Sequence, residues 1–264
     1  MWKKSLTIWI QQNKWNYLLF FAFLLGLIND SIVTTLKTDV YTIVGIKYLS
    51  MIIFRYSYLI IKPKNLNQEL SIYKNNYKEI FFELLRSIVL ICGFVFNHFE
   101  IRKNGVTIMN FLYYTIPFFD MLFGKIFFQE SLKHKIFIKS SLITLYIFIK
   151  FLPTNYFLGF TSILLFSFNN ILMKRSKIFH SCLYLLPSFF FCGYFCNFHE
   201  VSFNCYWIIF GINSILIEII FFFSYSNMSL KNTSKIIYLY FIFMMIWNKE
   251  NMMYIFLSCL YFFI

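Results

Sequence analysis

The run YLLFFAFLLGLI at residues 17–28 decides the fold class, because it is apolar throughout and shows no alternation of apolar with polar residues. A membrane-spanning β-strand would alternate with a period of two. The same continuity recurs in SILIEIIFFFSYS at residues 214–226. Inside lipid, backbone N–H and C=O groups must be satisfied within the protein, which leaves helices as the spanning elements. These runs therefore predict an all-α membrane protein.

The composition supports this prediction over the whole chain. Hydrophobic residues make up 59% of the 264 residues, aromatic residues 23% and charged residues 13%. A soluble domain of this length has too little interior to bury so much apolar surface. The formal net charge of +13 would suggest nucleic-acid binding in a soluble protein, but basic cytoplasmic loops explain it here. We therefore expect contact with membrane lipid and none with nucleic acid.

Apolar runs separated by charged residues, Pro or Asn predict ten membrane-spanning helices of about the ~20 residues that cross a bilayer. Most connections between the runs are short, so neighbouring helices are expected to pack antiparallel. The predicted spans are 15–34, 40–61, 79–98, 106–128, 136–152, 156–173, 181–197, 204–224, 233–247 and 251–264.

The Lys and Arg residues in the connections and near the span ends set the orientation. With the N-terminus in the cytoplasm, the inner side carries fifteen of them and the outer side five, in agreement with the positive-inside rule. Omitting one span would distribute the basic clusters over both sides. Ten spans with both termini in the cytoplasm are therefore predicted. The inner residues are Lys3, Lys4, Lys14, Lys62, Lys64, Lys74, Lys78, Lys133, Lys135, Lys139, Lys174, Arg175, Lys177, Lys231 and Lys235, and the outer ones are Lys37, Arg102, Lys103, Lys150 and Lys249.

The chain also contains a weak internal repeat. LLGLINDSIV at 24–33 is similar to LLFSFNNILM at 164–173, and FFQES at 127–131 is similar to IWNKEN at 246–251. Because five is an odd number of spans, halves 1–152 and 153–264 would lie in opposite orientations within one membrane domain. Inverted repeats are typical of secondary transporters, whose substrate site lies near the membrane midplane between the halves.

The stretch FNHFEIRKNGVTIMNFLYYTIPFFDMLFGKIFFQESLKHKIFIKSSLITLYIFI resembles spans three to five of the EamA-type drug/metabolite transporters. Thr107, the mid-span Pro117 and Glu130 at the inner end of the span stand where the family pattern has them. NNYKEIFFELLRSIVLICGF is similar to the family's third span, which opens on a Leu-Arg pair, here Leu85 and Arg86. The resemblance implies ten helices in two inverted five-helix repeats.

Within that superfamily, the chain is most similar to S-adenosylmethionine uptake carriers of intracellular bacteria. Those carriers share an Asn-Asp pair in the first span, here Asn29 and Asp30, and an aromatic stretch in the ninth, here IIYLYF. The resemblance implies a carrier in the bacterial inner membrane that works by alternating access, with S-adenosylmethionine as the first candidate substrate. Carriers of other amino-acid-like or nucleotide-like metabolites share the framework. Because Phe, Ile and Asn replace most of the family's Ala and Gly, a non-transporting membrane protein remains an alternative.

Ionisable residues within the spans are the candidate substrate contacts. Each costs at least ~2.5–3.5 kcal/mol near a helix centre, so such residues are expected to face a cavity or a partner. We therefore expect five of them to converge on one central cavity. They are Asp30, Lys47, Arg86, Asp120 and Glu218.

S-adenosylmethionine carries a carboxylate, an amino group and a sulfonium, so its site would combine cations with anions. Arg86 and Lys47 are expected to hold the carboxylate, because a guanidinium binds it in bidentate geometry. Asp30 or Asp120 would then face the cationic part. Two structural interpretations remain open, namely a local pair between Arg86 and Glu83 and an ion pair of Asp120 with Lys47 or Arg86.

Asn29, Asn170, Tyr114 and Tyr238 complete the candidate substrate-binding set. The tyrosine rings are candidates for stacking on an adenine or for cation–π contact with a sulfonium. Two further residues have expected structural roles. Pro117 would loosen span four next to Asp120, and Glu130 would cap its inner end. Arg55 and Lys125 are expected to reach the cytoplasmic interface as anchors.

Neither enzymatic chemistry nor a cofactor is predicted. The sequence contains no HExxH, GxSxG or Gly-rich phosphate loop. The four histidines fall at or near predicted span ends, and the six cysteines do not form a metal-binding set. We therefore expect no catalytic residues and no metal site. The expected partner is a small-molecule substrate, and a homodimer is left open.

Overall fold

The structure is a computed structural model, and it describes residues 2–62, 69–71, 73–74, 76–129, 134–151, 156–175, 181–201, 205–227 and 236. This part of the chain folds into nine α-helices and one short 3-10 helix (Phe198–Glu200), without a strand. The prediction of an all-α protein is therefore confirmed. The helices are α1 (Trp2–Thr35), α2 (Val40–Ile61), α3 (Tyr77–Asn104), α4 (Val106–Tyr113), α5 (Ile116–Phe128), α6 (His134–Phe151), α7 (Phe157–Arg175), α8 (Cys182–Phe195) and α9 (Cys205–Asn227).

Several helical segments are long and apolar enough to cross a membrane, which supports a membrane protein. In the described part of the chain there are five such segments: Lys14–Thr35, Val40–Ile61, Val106–Phe127, Phe157–Lys174 and Cys205–Tyr225. Two shorter apolar stretches, Phe137–Ile149 and Cys182–Phe195, lie in α6 and α8. The predicted spans 233–247 and 251–264 lie outside the described residues.

Helix α3 continues past the end of its predicted span. The sequence predicts a span over 79–98, whereas the helix runs to Asn104 and carries Arg102 and Lys103 in its last turn. Basic side chains there interact favourably with the negative end of the helix dipole. The helix ends at Gly105, whose φ of 89° lies in a left-handed region that glycine adopts without strain. As a result, His98 lies within the helix.

The fourth predicted span, 106–128, consists of two helices. A turn at Tyr114 and Thr115 separates α4 from α5, and the Thr115 hydroxyl donates a 2.7 Å hydrogen bond to the Leu112 carbonyl. Pro117 is the second residue of α5, where its missing N–H removes no intrahelical hydrogen bond. The structure thus differs from the prediction of one continuous helix loosened at Pro117. The proline instead stands at a helix start.

Helices from the two halves of the chain pack against each other. Helix α1 lies against α9, α3 against α7, and α2 against α8. Helix α3 also contacts α8, and α2 contacts α9. Helices α1 and α3 touch, as do α7 and α9. One apolar core joins the two halves, with Ile32, Ile101, Met109, Ile163 and Phe210 among its buried members.

Gly159 allows a close approach between the start of α7 and the α3–α4 region. Its N–H donates a 3.0 Å hydrogen bond to the buried carboxylate of Glu100. A Cβ atom added at Gly159 would overlap the Leu112 side chain and lie 2.9 Å from the Glu100 Cγ. Small residues at helix contacts matter in membranes because packing and hydrogen bonds hold the helices together there.

Gly159→Ala is expected to lower stability by roughly 1–3 kcal/mol, because the added methyl group overpacks this contact. The measurement is the thermal unfolding midpoint of the purified protein in detergent. Gly193→Ala on α8 is the matched control, because nothing lies within 4 Å of a Cβ atom at that position. We expect the control to be neutral or slightly stabilising, since Ala favours a helix over Gly by about 1 kcal/mol. An equal loss in both variants would contradict this account.

Candidate functional site

A cavity of about 140 Å³ lies between α1, α2, α3, α7 and α9, with the α4–α5 break at its edge. A water molecule occupies roughly 30 Å³ of liquid, so the cavity has room for several waters. Its wall is largely apolar and includes Phe94, Phe166 and Phe210. The polar lining residues are Asn29, Asp30, Lys47, Asn97, His98, Tyr113, Asn169, Asn170, Glu218 and Tyr225.

A buried ion pair joins the two halves of the chain at this cavity. Lys47 Nζ on α2 lies 3.2 Å from Glu218 Oε1 on α9, and each side chain is 5% exposed. The ammonium also lies 3.0 Å from the centroid of the Phe94 ring. Attraction between the charges, together with the cation–π contact, offsets the cost of removing both ions from water. The structure therefore brings together two of the five predicted charges as direct partners.

Asp30 on α1 adds a second carboxylate to the same cavity. The residue is 9% exposed, and Lys47 attracts it electrostatically. With the two acids and the lysine all ionised and His98 neutral, this group has a formal charge of −1. Beside Asp30, the Asn29 amide donates to Ser214 Oγ on α9 at 3.1 Å. Side chains that can carry charge of either sign therefore line the same cavity.

Tyr113, and not the predicted Tyr114, lines the cavity. The Tyr113 hydroxyl donates a 2.6 Å hydrogen bond to Asn97 Oδ1. Tyr114 is 4% exposed and lies in the apolar core, with its ring stacked on Phe111 at a centroid distance of 6.4 Å. The helix ends at Tyr113 and the chain turns at Tyr114, so the two side chains point in different directions and Tyr113 is the one that lines the cavity. The sequence could not decide which.

His98 is a lining residue that the sequence analysis missed. It is 3% exposed, and its Nδ1 lies 3.4 Å from the Asn97 amide nitrogen. The predicted end of span three at residue 98 placed this histidine near the membrane surface. The basic residues after it and the glycine at 105 were the signals for a longer helix.

Asp120 lies just behind the cavity wall. It is 1% exposed, and the Asn170 amide nitrogen lies 3.3 and 3.4 Å from its two carboxylate oxygens. The same nitrogen lies 3.1 Å from the Tyr225 hydroxyl. Asn170 and Tyr225 line the cavity, whereas Asp120 does not. Its partners are thus an amide and a phenol in place of the proposed Lys47 or Arg86.

Arg86 does not join the cavity, contrary to expectation. Its Nη1 lies 3.6 Å from Glu83 Oε2, and its guanidinium carbon lies 4.5 Å from the Tyr184 ring centroid. Glu83 in turn accepts a 3.2 Å hydrogen bond from Ser181 Oγ at the N-cap of α8. Residues three apart share one helix face, so Glu83 is the partner within easiest reach. The structure therefore shows the local Arg86–Glu83 pair, which was one of the two interpretations of Arg86 from the sequence.

Arg55 is also buried and paired, although an interfacial anchor was expected. Its Nη2 lies 2.9 Å from Glu69 Oε2. The other oxygen of Glu69 accepts a 2.7 Å hydrogen bond from the N–H of Cys182, the first residue of α8. The start of α8 is thus held by two buried Arg–Glu pairs. The candidates Tyr238 and Glu130 lie outside the described residues.

No family model, curated protein or solved structure matches the chain. Among the described residues, no group of three or more His, Cys, Asp or Glu could hold a metal ion.

Lys47→Met is expected to destabilise the protein by about 3–5 kcal/mol, because it leaves the Glu218 carboxylate buried without a cation. The double variant Lys47→Met with Glu218→Gln is expected to recover at least half of that loss, since no buried charge remains unpaired. The measurement is a double-mutant cycle of unfolding free energies in detergent. The exposed Lys37→Met serves as control and is expected to change little. Strict additivity of the two substitutions would show that the pair contributes nothing.

Proposed function

We propose that this chain is a secondary transporter of a small metabolite that carries both positive and negative charge. The observation that carries the proposal is the buried pair of Lys47 and Glu218, with Asp30 beside it in one cavity that has room for several waters. Ionisable residues in the membrane interior are costly, and they mark substrate and ion pathways. The cavity lies between helices from both halves of the chain, where secondary transporters bind their substrates.

We infer two inverted five-helix repeats, 1–152 and 153–264, and the packing of three helices from each half supports this inference. If α1, α2 and α3 correspond to α7, α8 and α9, the contact of α1 with α9 has its counterpart in that of α7 with α3. The contact between α2 and α9 corresponds to the contact between α8 and α3. Likewise, the contact between α1 and α3 corresponds to the contact between α7 and α9. The contact between α2 and α8 is its own counterpart, as expected beside a two-fold axis. This pattern agrees with the resemblance to EamA-type transporters.

S-adenosylmethionine is the first candidate substrate. Its ammonium, sulfonium and carboxylate give it a net charge of +1, opposite to the formal charge of the cavity. In the proposed mechanism, Lys47 leaves Glu218 to bind the substrate carboxylate. Glu218 and Asp30 then face the cationic groups, and the Phe94 and Phe166 rings offer aromatic faces. Arg86 is committed to Glu83 and has no part in substrate binding.

Alternating access requires the contacts on one side of the cavity to break. In the bacterial inner membrane with both termini in the cytoplasm, the N-terminus of α8 lies on the inner side. There the Arg55–Glu69 and Arg86–Glu83 pairs tie α8 to α2 and α3. We propose that these two pairs close the cavity toward the cytoplasm and separate when it opens inward.

Asp30→Asn is expected to raise the KM for S-adenosylmethionine at least tenfold, because the cationic part of the substrate loses one of its two carboxylates. The measurement is uptake of the radiolabelled compound into bacterial cells expressing the chain, normalised to inserted protein. Asp39→Asn is the matched control. Asp39 caps α2 outside the cavity, and Asn caps a helix as well as Asp does, so uptake is expected to stay unchanged.

Other outcomes of the uptake assay decide between the alternatives. In one outcome, the wild-type chain fails to take up S-adenosylmethionine but takes up another amino-acid-like or nucleotide-like metabolite from a labelled panel. That result would contradict the proposed substrate and support the proposed transporter. Uptake equal to that of cells lacking the chain for every compound would overturn the proposal in favour of a non-transporting membrane protein.

The orientation is tested by cysteine labelling in a variant whose six native cysteines are replaced by Ser. We expect Lys62→Cys to react with a membrane-impermeant maleimide only from the cytoplasmic side. Lys103→Cys is expected to react only from outside, because one membrane crossing separates the two positions. Reaction of both from the same side would overturn the ten-span orientation.

A further inference from the structure

We propose that Asp120 is a proton-binding site, separate from the Lys47–Glu218 pair, and that its proton is exchanged when the cavity opens to water. The proposed role of this proton in driving transport rests on the proposed function. The protonated site itself rests only on the surroundings of Asp120.

Among the described residues, two of the other buried carboxylates lack an ion pair: Asp30 is attracted by Lys47 across the cavity, and Glu100 accepts hydrogen bonds from the Gly159 N–H and the Asn104 amide. Three more have a cationic partner. Glu218, Glu83 and Glu69 each lie within 4.0 Å of a lysine or arginine nitrogen. Among the described residues, no such nitrogen lies within 4.0 Å of Asp120, which is 1% exposed. Its hydrogen-bond partners are neutral groups, namely the Asn170 amide and the hydroxyls of Ser167 and Tyr225. A carboxylate that stays ionised without an adjacent cation loses several kcal/mol of hydration, which neutral donors replace only in part.

The elements packed around Asp120 add one charged group, at a distance. Helix α7 presents Asn170 and also Lys174, which attracts the carboxylate electrostatically from beyond ion-pair range. Helix α9 presents the Tyr225 hydroxyl. Helix α6 meets α5 through stacked rings, Phe118 on Phe137 at 5.4 Å. A single remote lysine does not replace the water that burial removes, so the neutral acid is favoured in the closed bundle.

Asn170 suits both protonation states of Asp120. Its NH₂ group donates to the ionised carboxylate, and half a turn of the amide brings its carbonyl oxygen round to accept from the protonated acid. Asn170 and Tyr225 also line the cavity, so one layer of side chains separates the Asp120 carboxyl from the cavity. When the cavity widens, water can reach the carboxyl, and the proton leaves to bulk water as hydronium. Rebinding restores the neutral acid before closure.

The site is tested first without any substrate, by infrared difference spectroscopy of purified protein in detergent at neutral pH. We expect the wild type to show the C=O stretching band of a protonated carboxyl group that Asp120→Asn lacks. Asp120→Glu should restore a band at a shifted position. Glu218→Gln should leave the original band in place, because Glu218 pairs with Lys47 and does not contact Asp120. If wild type and Asp120→Asn have the same carboxyl bands, the proposal is overturned.

Coupling is then tested in proteoliposomes with radiolabelled S-adenosylmethionine. An imposed pH gradient is expected to raise accumulation at least tenfold in the wild type and to have no effect on Asp120→Asn. The variant should still exchange external label for internal unlabelled compound, which separates loss of coupling from loss of folding. Gradient-driven accumulation by Asp120→Asn would overturn the coupling. If the wild type moves no label while the infrared band is present, transport of S-adenosylmethionine fails, together with its coupling, and the proton site stands.

Discussion

The rest of this structure depends on the pairing of charges in a medium that cannot hydrate them. Lys47 on α2 and Glu218 on α9 lie 3.2 Å apart, far along the sequence and on opposite halves of the chain. Neither residue could stay ionised in the hydrocarbon layer alone, so the two helices are constrained to bring them together. The cavity forms around this pair because Asp30 and the neighbouring amides also need a polar environment. The need to pair buried charges thus determines both the positions of these helices and the residues that line the cavity.

Polar contacts fix the alignment of the remaining helices. Lipid tails are as apolar as the side chains, so burial of apolar surface does not select one helix arrangement over another. Directional hydrogen bonds select one arrangement. For example, Ser162 Oγ on α7 donates a 2.9 Å hydrogen bond to the Gly93 carbonyl on α3. At the α1–α9 contact, Asn29 donates to Ser214. Each of these two interfaces therefore has its own polar bond between the N-terminal and C-terminal parts of the chain.

The interactions that stabilise the closed bundle are also those that a transport cycle would have to break. A substrate that binds Lys47 must separate it from Glu218, and its own charges must replace the ones displaced. In the proposed cycle, this requirement selects a ligand with both signs of charge more strongly than cavity size does. The Arg55–Glu69 and Arg86–Glu83 pairs would have to separate in the same way at the start of α8, with water replacing the partner of each buried charge.

The sequence by itself determined the all-α class, most helix positions and the set of costly residues. Uninterrupted apolar runs and local charge patterns carry this information, since both are properties of neighbouring residues. Asn29, Asp30, Lys47, Asn170 and Glu218 were all named from the sequence, and all line the cavity. Only the tertiary structure decided their partners.

The rotation and depth of each helix decide three contacts. Arg86 pairs with Glu83 and does not reach the cavity, Tyr113 lines the cavity while Tyr114 does not, and Asp120 contacts Asn170. The rotation and depth are set by contacts between helices that lie up to about two hundred positions apart in the sequence, as Asn29 and Ser214 do at a separation of 185 residues. Spacing along one helix constrains only the partners within that helix.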